Sequence, residues 1–264
     1  MLTYMRYMTK HDALLVWLRV WHFTSAAVIA KLLFSDTKTP AAQASAFLYK
    51  LTKKGLLRRV DTDQLQGQLV YMLTPFGLDE ASEYDYDLGV EYDLTPSSID
   101  HTRIRHDISV QYTVAAFSKR QVISEAIPDR ILRVRFPHLR KIPDAALSIE
   151  GTGQVAIELE ISEKYGRRLE QMMWTMADEL AAGRYKFFFV FARVPGIITR
   201  YKKALEGPLQ RWAKDDVSKR WYVTETAPIP EGLQKRITLR ALPEISAAIS
   251  PMTYRRKQKQ NETG

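Results

Sequence analysis

Three carboxylates and a lysine lie close together in the middle of the chain. Asp144 follows a proline, Glu158 and Glu160 are two residues apart, and Lys164 comes just beyond them. Side chains alternate between the faces of a strand, so Glu158 and Glu160 point one way and Leu159 points the other. Carboxylates held together repel unless water or a cation separates them. The pattern is typical of a site for a hard cation such as Mg²⁺, beside which a lysine offsets phosphate charge.

Composition narrows the class of protein. The chain has 264 residues, 45% of them hydrophobic, which suffices for one large domain or two small ones. It has no long apolar run and no secretory signal pattern, so we expect no membrane association. The absence of cysteine excludes disulfides, cysteine-ligated zinc and a cysteine nucleophile, and it suits the cytoplasm. A net charge of +9 and a pI of about 9.6 favour a nucleic-acid partner over charge that serves only solubility.

The chain divides into four segments by composition. Residues 1–80 have helical periodicity, and residues 81–100 are acidic and rich in serine, which predicts an unpacked linker. Residues 101–250 form a second domain, and residues 251–264 form a basic, mobile tail.

The first segment predicts three helices followed by two strands. Ser25 is placed to cap the second helix, and Thr39-Pro40 opens a third that stops at Gly55. Strands follow at 56–60 and 68–73. This order is that of a winged helix-turn-helix, and the chain resembles winged-helix DNA-binding domains in its third helix, in the run from Lys53 to Arg59 and in the run from Tyr71 to Gly77.

In a winged helix the third helix enters the DNA major groove. We expect the exposed side chains of that helix to face bases, and two wing arginines to contact phosphates. The predicted DNA-binding residues are Gln43, Ser45, Tyr49, Lys50, Lys53, Arg58 and Arg59. The alternative is a winged helix that binds protein.

The second domain predicts a mixed sheet flanked by helices. A helix ends near residue 117, strands follow at 121–125, 145–150 and 154–161, and a methionine-rich helix spans 165–182. The apolar strand 186–192, a helix at about 197–214 and two late strands complete it, while residues 133–141 form a basic, irregular approach. Helix, three strands, helix and strand is the core order of the PD-(D/E)XK nuclease fold, so the fold class expected is α+β or α/β.

The chain resembles the replication-relaxation family, which includes the MobC-type relaxases of mobilisable plasmids. The resemblance covers roughly residues 10–195. The matching runs are Arg105-His106-Asp107-Ile108-Ser109-Val110, Ile142-Pro143-Asp144-Ala145, and the run from Ile157 to Lys164. It implies a DNA nickase that needs Mg²⁺ or Mn²⁺ and acts at a plasmid transfer origin, beside an accessory mobilisation protein and a coupling ATPase.

Roles for the residues follow from this chemistry. Asp144 and Glu158 would hold the cation, and Glu160 would complete or orient its shell. Glu160 stands where the nuclease pattern has lysine, so Lys164 would reach back to stabilise transition-state charge. Glu125 is a candidate additional ligand, and His106 a candidate for phosphate contact or proton transfer. Tyr165 is an alternative covalent nucleophile.

Simpler interpretations of these residues remain. Asp144 would cap a turn, Glu158 and Glu160 would form a solvated strand face paired with Arg or Lys, Lys164 would be a surface lysine, and His106 would be structural. Two other functions stay open: a non-catalytic regulator of replication or copy number, and a restriction- or transposition-type endonuclease that cuts both strands.

Overall fold

The computed structural model describes residues 8–62, 69–84, 88–119, 122–138 and 141–242. Within these ranges, the N-terminal unit has four helices and three short strands. In chain order they are α1 (Lys10–Trp21), β1 (Phe23–Ser25), α2 (Ala26–Leu33), α3 (Pro40–Lys53), β2 (Leu57–Val60), β3 (Val70–Leu73) and α4 (Pro75–Ser82). The strands pair antiparallel in the order β1-β3-β2.

Local sequence explains where these helices begin. The Ser25 hydroxyl accepts from the Val28 N–H and caps α2, as predicted, and Thr74 caps α4 in the same way. Pro40 opens α3, as predicted, but the Thr39 side chain makes no capping hydrogen bond. The pattern misses β1, because three residues are too short to show alternation, and it misses the eight-residue helix α4.

Residues 88–100 pack against the N-terminal unit, which differs from the unpacked linker that their composition predicts. The Tyr92 hydroxyl donates to the His22 carbonyl and accepts from the Leu73 N–H. His22 Nε2 lies 2.7 Å from the Asp93 carbonyl oxygen, and Ile99 is buried. The hydrogen bonds of Tyr92 and His22 and the buried side chain of Ile99 therefore hold this acidic segment against the N-terminal unit. Residues 85–87 of it lie outside the described residues, as do residues 63–68, which include the start of the second predicted strand, and the predicted tail at 251–264.

The second unit is built on a five-stranded mixed sheet flanked by helices, so the coarse α+β prediction is confirmed. The strand order is β10-β7-β6-β5-β4, with β4, β5 and β6 antiparallel in turn and β6, β7 and β10 parallel. Its elements are α5 (Ile104–Ser118), β4 (Ile123–Pro128), α6 (Asp129–Arg135), β5 (Ala145–Ile149), β6 (Gly153–Glu160), α7 (Gly166–Ala181), β7 (Phe187–Ala192), α8 (Pro195–Glu206), β8 (Leu209–Lys214), β9 (Trp221–Ala227), α9 (Glu231–Gln234) and β10 (Ile237–Ala241).

The apolar strand β7 lies between two parallel neighbours, which explains its uninterrupted hydrophobic sequence. Phe117 of α5 contacts Phe189 and Phe191 on one face of β7. On the opposite face, Phe188 and Val190 are fully buried. The methionines of α7 are buried too, where they pack the helix into the core.

Two predicted elements are wrong. The irregular approach predicted at 133–141 is wrong for residues 133–135, which end helix α6, because Ile131 and Leu132 bury an apolar side of that helix and leave Arg133 and Arg135 outside. Residues 136–138 and 141 are irregular as predicted, and residues 139 and 140 lie outside the described residues. The helix predicted at about 197–214 ends at Glu206, since Gly207-Pro208 cannot continue it, and strand β8 follows. No helix within the described ranges is long and apolar enough to cross a membrane.

Buried polar contacts join the two units. The Trp17 indole N–H donates to Gln111 Oε1 at 3.2 Å, and Gln111 Nε2 donates to the Phe23 carbonyl at 2.9 Å. The Arg130 guanidinium donates to the Arg19 and Val20 carbonyls at the end of α1. These contacts fix α5 and α6 against the N-terminal unit.

Replacing Gln111 with leucine should lower the free energy of unfolding. The substitution keeps the side-chain size but leaves the Trp17 N–H and the Phe23 carbonyl without partners, at about 1–3 kcal/mol for each orphaned group. Urea denaturation followed by tryptophan fluorescence measures the change. The control is Gln154→Leu, because Gln154 is exposed on β6. Equal losses in the two variants would show that the buried amide does not join the units.

Candidate functional site

Asp144 is held at the start of β5 by contacts from three elements. Its Oδ2 accepts from the Leu159 N–H of β6 at 2.7 Å and lies 3.3 Å from His106 Nε2 of α5. Its backbone carbonyl accepts from the Asp129 N–H of α6. The carboxylate therefore bridges strand β6 and helix α5, which is more than a local turn cap does.

Glu158 and Glu160 are buried on one face of β6, with 3% and 2% of their surfaces exposed. The strand face is therefore not solvated, as the simpler interpretation has it, although both glutamates pair with lysine as that interpretation expects. Glu158 Oε2 accepts from Lys141 Nζ at 2.8 Å, and Glu160 Oε1 accepts from Lys164 Nζ. Each glutamate thus has one lysine partner, since an unpaired charge is costly to bury.

The carboxylates also affect one another. Burial and the nearby Asp144 charge raise the pKa of Glu158 to about 8, and burial raises the pKa of Glu160. The pKa of Lys141 is raised despite its burial, because Glu158 favours the ammonium form. The pKa of Asp144 is lowered despite its burial, because the His106 hydrogen bond and charge favour the carboxylate. The cluster therefore carries closely spaced acids whose charges depend on cations nearby.

His106 lies between two aspartates. Its Nε2 faces Asp144, and its Nδ1 is 3.4 Å from Asp107 Oδ1. Burial would lower the pKa of His106, but the two carboxylates raise it to about 10. The two carboxylates therefore favour the protonated imidazole, whose Nε2 lies where it can orient Asp144.

A divalent cation would find oxygen ligands in this cluster. Glu158 Oε1 is buried and has no hydrogen-bond partner among the described residues, so it is free to bind one. Hard cations prefer carboxylate oxygens of this kind. No three acidic or histidine side chains in the described part of the chain already stand in a metal-binding arrangement. The carboxylate oxygens thus have the right chemistry for a divalent cation. For all of them to bind it, Lys141 and Lys164 would have to move away from the glutamates.

The sequence-based prediction of the site misses Lys141. This lysine stands three residues before Asp144, in the run Lys141-Ile142-Pro143-Asp144, and is 25% exposed at its side chain. Its position beside Ile142 and Pro143 was the available signal, because a lysine next to a buried strand start needs a partner.

Two predicted residues lie apart from the cluster. Glu125 faces Ser148 and Arg135 and is paired across β4 and β5 with Ser148. That position is roughly 13 Å along β5 from Asp144, at about 3.3 Å per residue. Tyr165 is exposed, donates to Glu163 and stacks on Arg200. The structure does not bring either residue to the three acids.

A cavity of about 220 Å³ adjoins Asp144 and His106. Its walls come from both units, including the end of α1 and helices α5 and α6. Arg103 and Arg133 line it, and both contact Asp129. Solvent thus reaches the side of the acid cluster from the junction between the units.

The predicted DNA-facing residues of α3 are largely at the surface. Gln43, Tyr49, Lys50 and Lys53 are exposed, whereas Ser45 is half-buried because it sits beside the buried flank of the helix. In β2, Arg59 is exposed and Arg58 is half-buried. The buried side of α3 consists of Ala44, Leu48 and Leu51. The helix therefore presents a polar, basic face outward.

Comparison of the chain with protein-family models, curated proteins and solved structures gives no match.

Because of the His106–Asp144 pair, the free energy of unfolding should fall as the pH becomes alkaline. A histidine whose pKa is raised contributes stability below its unfolded value of 6.5, and this is lost as pH rises through about 10. Asp144→Asn should flatten this loss by removing one carboxylate partner. Urea unfolding of both proteins across that pH range measures it, together with an NMR titration of the His106 ring. A His106 ring that titrates near 6.5 in the folded protein would contradict the assignment.

Proposed function

We propose that this protein binds DNA and cleaves one strand of it with the help of a divalent cation, as a plasmid mobilisation relaxase does. The observation that carries the proposal is the buried cluster of Asp144, Glu158 and Glu160, with one glutamate oxygen unpartnered among the described residues. A buried acid cluster of this kind is a poor choice for stability alone, because each charge must be compensated. Perturbed carboxylates of this kind are common at catalytic sites.

The order of the elements supports both halves of the proposal. The N-terminal unit runs helix, strand, two helices and two strands, which agrees with a winged helix-turn-helix whose α3 enters the major groove. The second unit runs helix, strand, short helix, two strands, helix and strand, which agrees with a PD-(D/E)XK nuclease core that carries the short helix α6 between its first two strands. In that interpretation Asp144 begins the second strand and Glu158 lies on the third, where such nucleases place their acids.

Each residue of the cluster has a chemical role in cleavage. Asp144, Glu158 and Glu160 would hold the cation, which is Mg²⁺ or Mn²⁺ and supplies Lewis-acid polarisation of the phosphate. His106 keeps Asp144 ionised and oriented. Lys164, which is 37% exposed at its side chain, is the cation best placed to meet an incoming phosphate.

The biological setting rests on the resemblance to relaxases alone. It comprises a plasmid transfer origin as the DNA site, and an accessory mobilisation protein and a coupling ATPase as partners. Because Tyr165 points away from the acids toward Glu163 and Arg200, hydrolysis is favoured over a covalent tyrosine step.

One observation favours a second function, that of a non-catalytic DNA-binding regulator. Lys141 and Lys164 already neutralise Glu158 and Glu160. A cluster so compensated is stable without a metal, as expected of a nuclease scaffold that has lost its activity.

The acids should be essential for nicking. Purified protein incubated with supercoiled plasmid carrying its origin region and Mg²⁺ or Mn²⁺ should yield open circles, and EDTA should prevent this. Asp144→Asn and Glu160→Gln should each reduce the rate by more than about 100-fold, because several kcal/mol of transition-state stabilisation would be lost. A denaturing gel measures the product.

The matched control is Glu179→Gln. Glu179 is equally buried and ion-paired with Arg184, but it lies on α7 away from the cluster. It should nick normally. Nicking by Asp144→Asn at the normal rate would refute the site, linear products would favour a double-strand endonuclease, and binding without cleavage under either metal would favour the regulator.

DNA affinity should depend on the outward face of α3 and the wing. Lys53→Gln and Arg59→Gln should each weaken duplex binding and reduce the slope of log affinity against log salt by about 0.9, since each phosphate contact releases counterions. Fluorescence anisotropy with a labelled origin duplex measures both quantities. Lys202→Gln on α8 makes the same charge change and serves as control. If all three variants behave alike, the groove assignment fails.

A further inference from the structure

The hairpin of β8 and β9 carries an exposed aromatic surface that the proposed function leaves unused. The residues of β9 from Trp221 to Thr226 are all exposed, so this strand buries neither face. Trp221 is 38% exposed and Tyr222 is 51% exposed. Large apolar side chains grouped at a surface usually mark a binding site. The hairpin is thus held to the fold through β8, while β9 remains available.

Cations surround the exposed indole. The Arg167 guanidinium of α7 lies 4.6 Å from the Trp221 ring centroid, and Lys214 Nζ lies 5.8 Å from it. Within the described residues, Lys214, Lys219 and Arg220 have no carboxylate at ion-pair distance. Their charge is therefore free to attract an anionic ligand.

This surface includes residues that follow the acid cluster directly in the sequence. Arg167 stands three residues after Lys164, which contacts Glu160. Tyr165 lies between them, and the Arg200 guanidinium is 4.3 Å from its ring centroid. Two exposed rings, each with a guanidinium over it, thus lie at the start of α7: Tyr165 is the residue before the helix, and Trp221 of the hairpin contacts Arg167 in its first turn. We name this set the aromatic strip, which comprises Tyr165, Arg167, Arg200, Lys214 and Trp221.

We propose that the aromatic strip binds single-stranded DNA, with unpaired bases stacked on Trp221 and Tyr165 and phosphates held by the neighbouring cations. Aromatic rings interleaved with basic side chains are how proteins bind single strands without sequence preference. A partner protein that adds a strand to β9 fits less well, because Lys219 and Arg220 begin that edge and edge cations oppose pairing. The inference rests on the proposed function, because the aromatic strip would bind the stretch of DNA strand next to the phosphate that is cleaved.

The test is binding of a labelled oligothymidylate of about 16 nucleotides to the full chain, by fluorescence anisotropy. Trp221→Ala should weaken binding by roughly 5- to 100-fold, because stacking of a base on the ring is lost. Trp221→Phe should retain most of the affinity. Arg167→Gln should weaken binding and reduce its salt slope by about 0.7. The control is Val217→Ala at the hairpin tip, where the side chain is 93% exposed and should contribute nothing.

The outcomes separate this inference from the proposed function. Unchanged oligothymidylate binding in Trp221→Ala, or no binding by the wild type, would overturn the inference even if duplex binding and nicking hold. The opposite result is also distinguishable. If oligothymidylate binding depends on Trp221, but the protein does not nick plasmid and Lys53→Gln keeps its duplex affinity, the aromatic strip is supported and the proposed function fails. Circular dichroism of Trp221→Ala confirms that any loss is not unfolding.

Discussion

The burial of two glutamates on one face of β6 is the constraint on which the site depends. Each carboxylate is removed from water within a sheet, where an uncompensated charge costs several kcal/mol. The protein meets this cost with Lys141 from the segment before β5 and Lys164 from the segment after β6. The segments before β5 and after β6 are therefore both positioned by ion pairs with the glutamates of β6.

The same constraint extends outward to helix α5. Asp144 stays ionised next to two glutamates because it accepts from the Leu159 N–H and faces a protonated His106, which is in turn held by Asp107. Helix α5 also carries Gln111, whose amide bonds to Trp17 and Phe23 of the N-terminal unit. One helix thus connects the acid cluster to the unit that presents α3, and a shift of that helix would be felt at both.

Periodicity predicts the parts of this fold that local sequence determines. The alternation at Glu158 and Glu160, the apolar run of β7 and the methionine helix α7 are all visible in the sequence, because burial imposes their spacing. Lys141 and the packing of residues 88–100 are not, since they depend on partners distant in the chain. Tyr92 bonds to a carbonyl 70 residues away, and Gln111 to an indole 94 residues away. Glu125 shows an error of another kind. Its strand β4 directly precedes β5 in the order of the sheet, but the register of the pair places Glu125 opposite Ser148 and therefore away from Asp144.

The two proposed functions make opposite demands on the same lysines. A lysine on the strand itself, two residues after Glu158, would be fixed by the register of the sheet. Here Glu160 takes that place, and both lysines reach the acids from outside β6, at the ends of flexible side chains. In a nuclease these ammonium groups must leave the carboxylates when a cation arrives, and Lys164, the more exposed of the two, then has a phosphate to meet. In a regulator they must stay, because no other described side chain forms an ion pair with the buried glutamates. The free energy that separates the lysine-bound acids from the cation-bound acids is therefore the quantity that decides whether this scaffold can cut DNA.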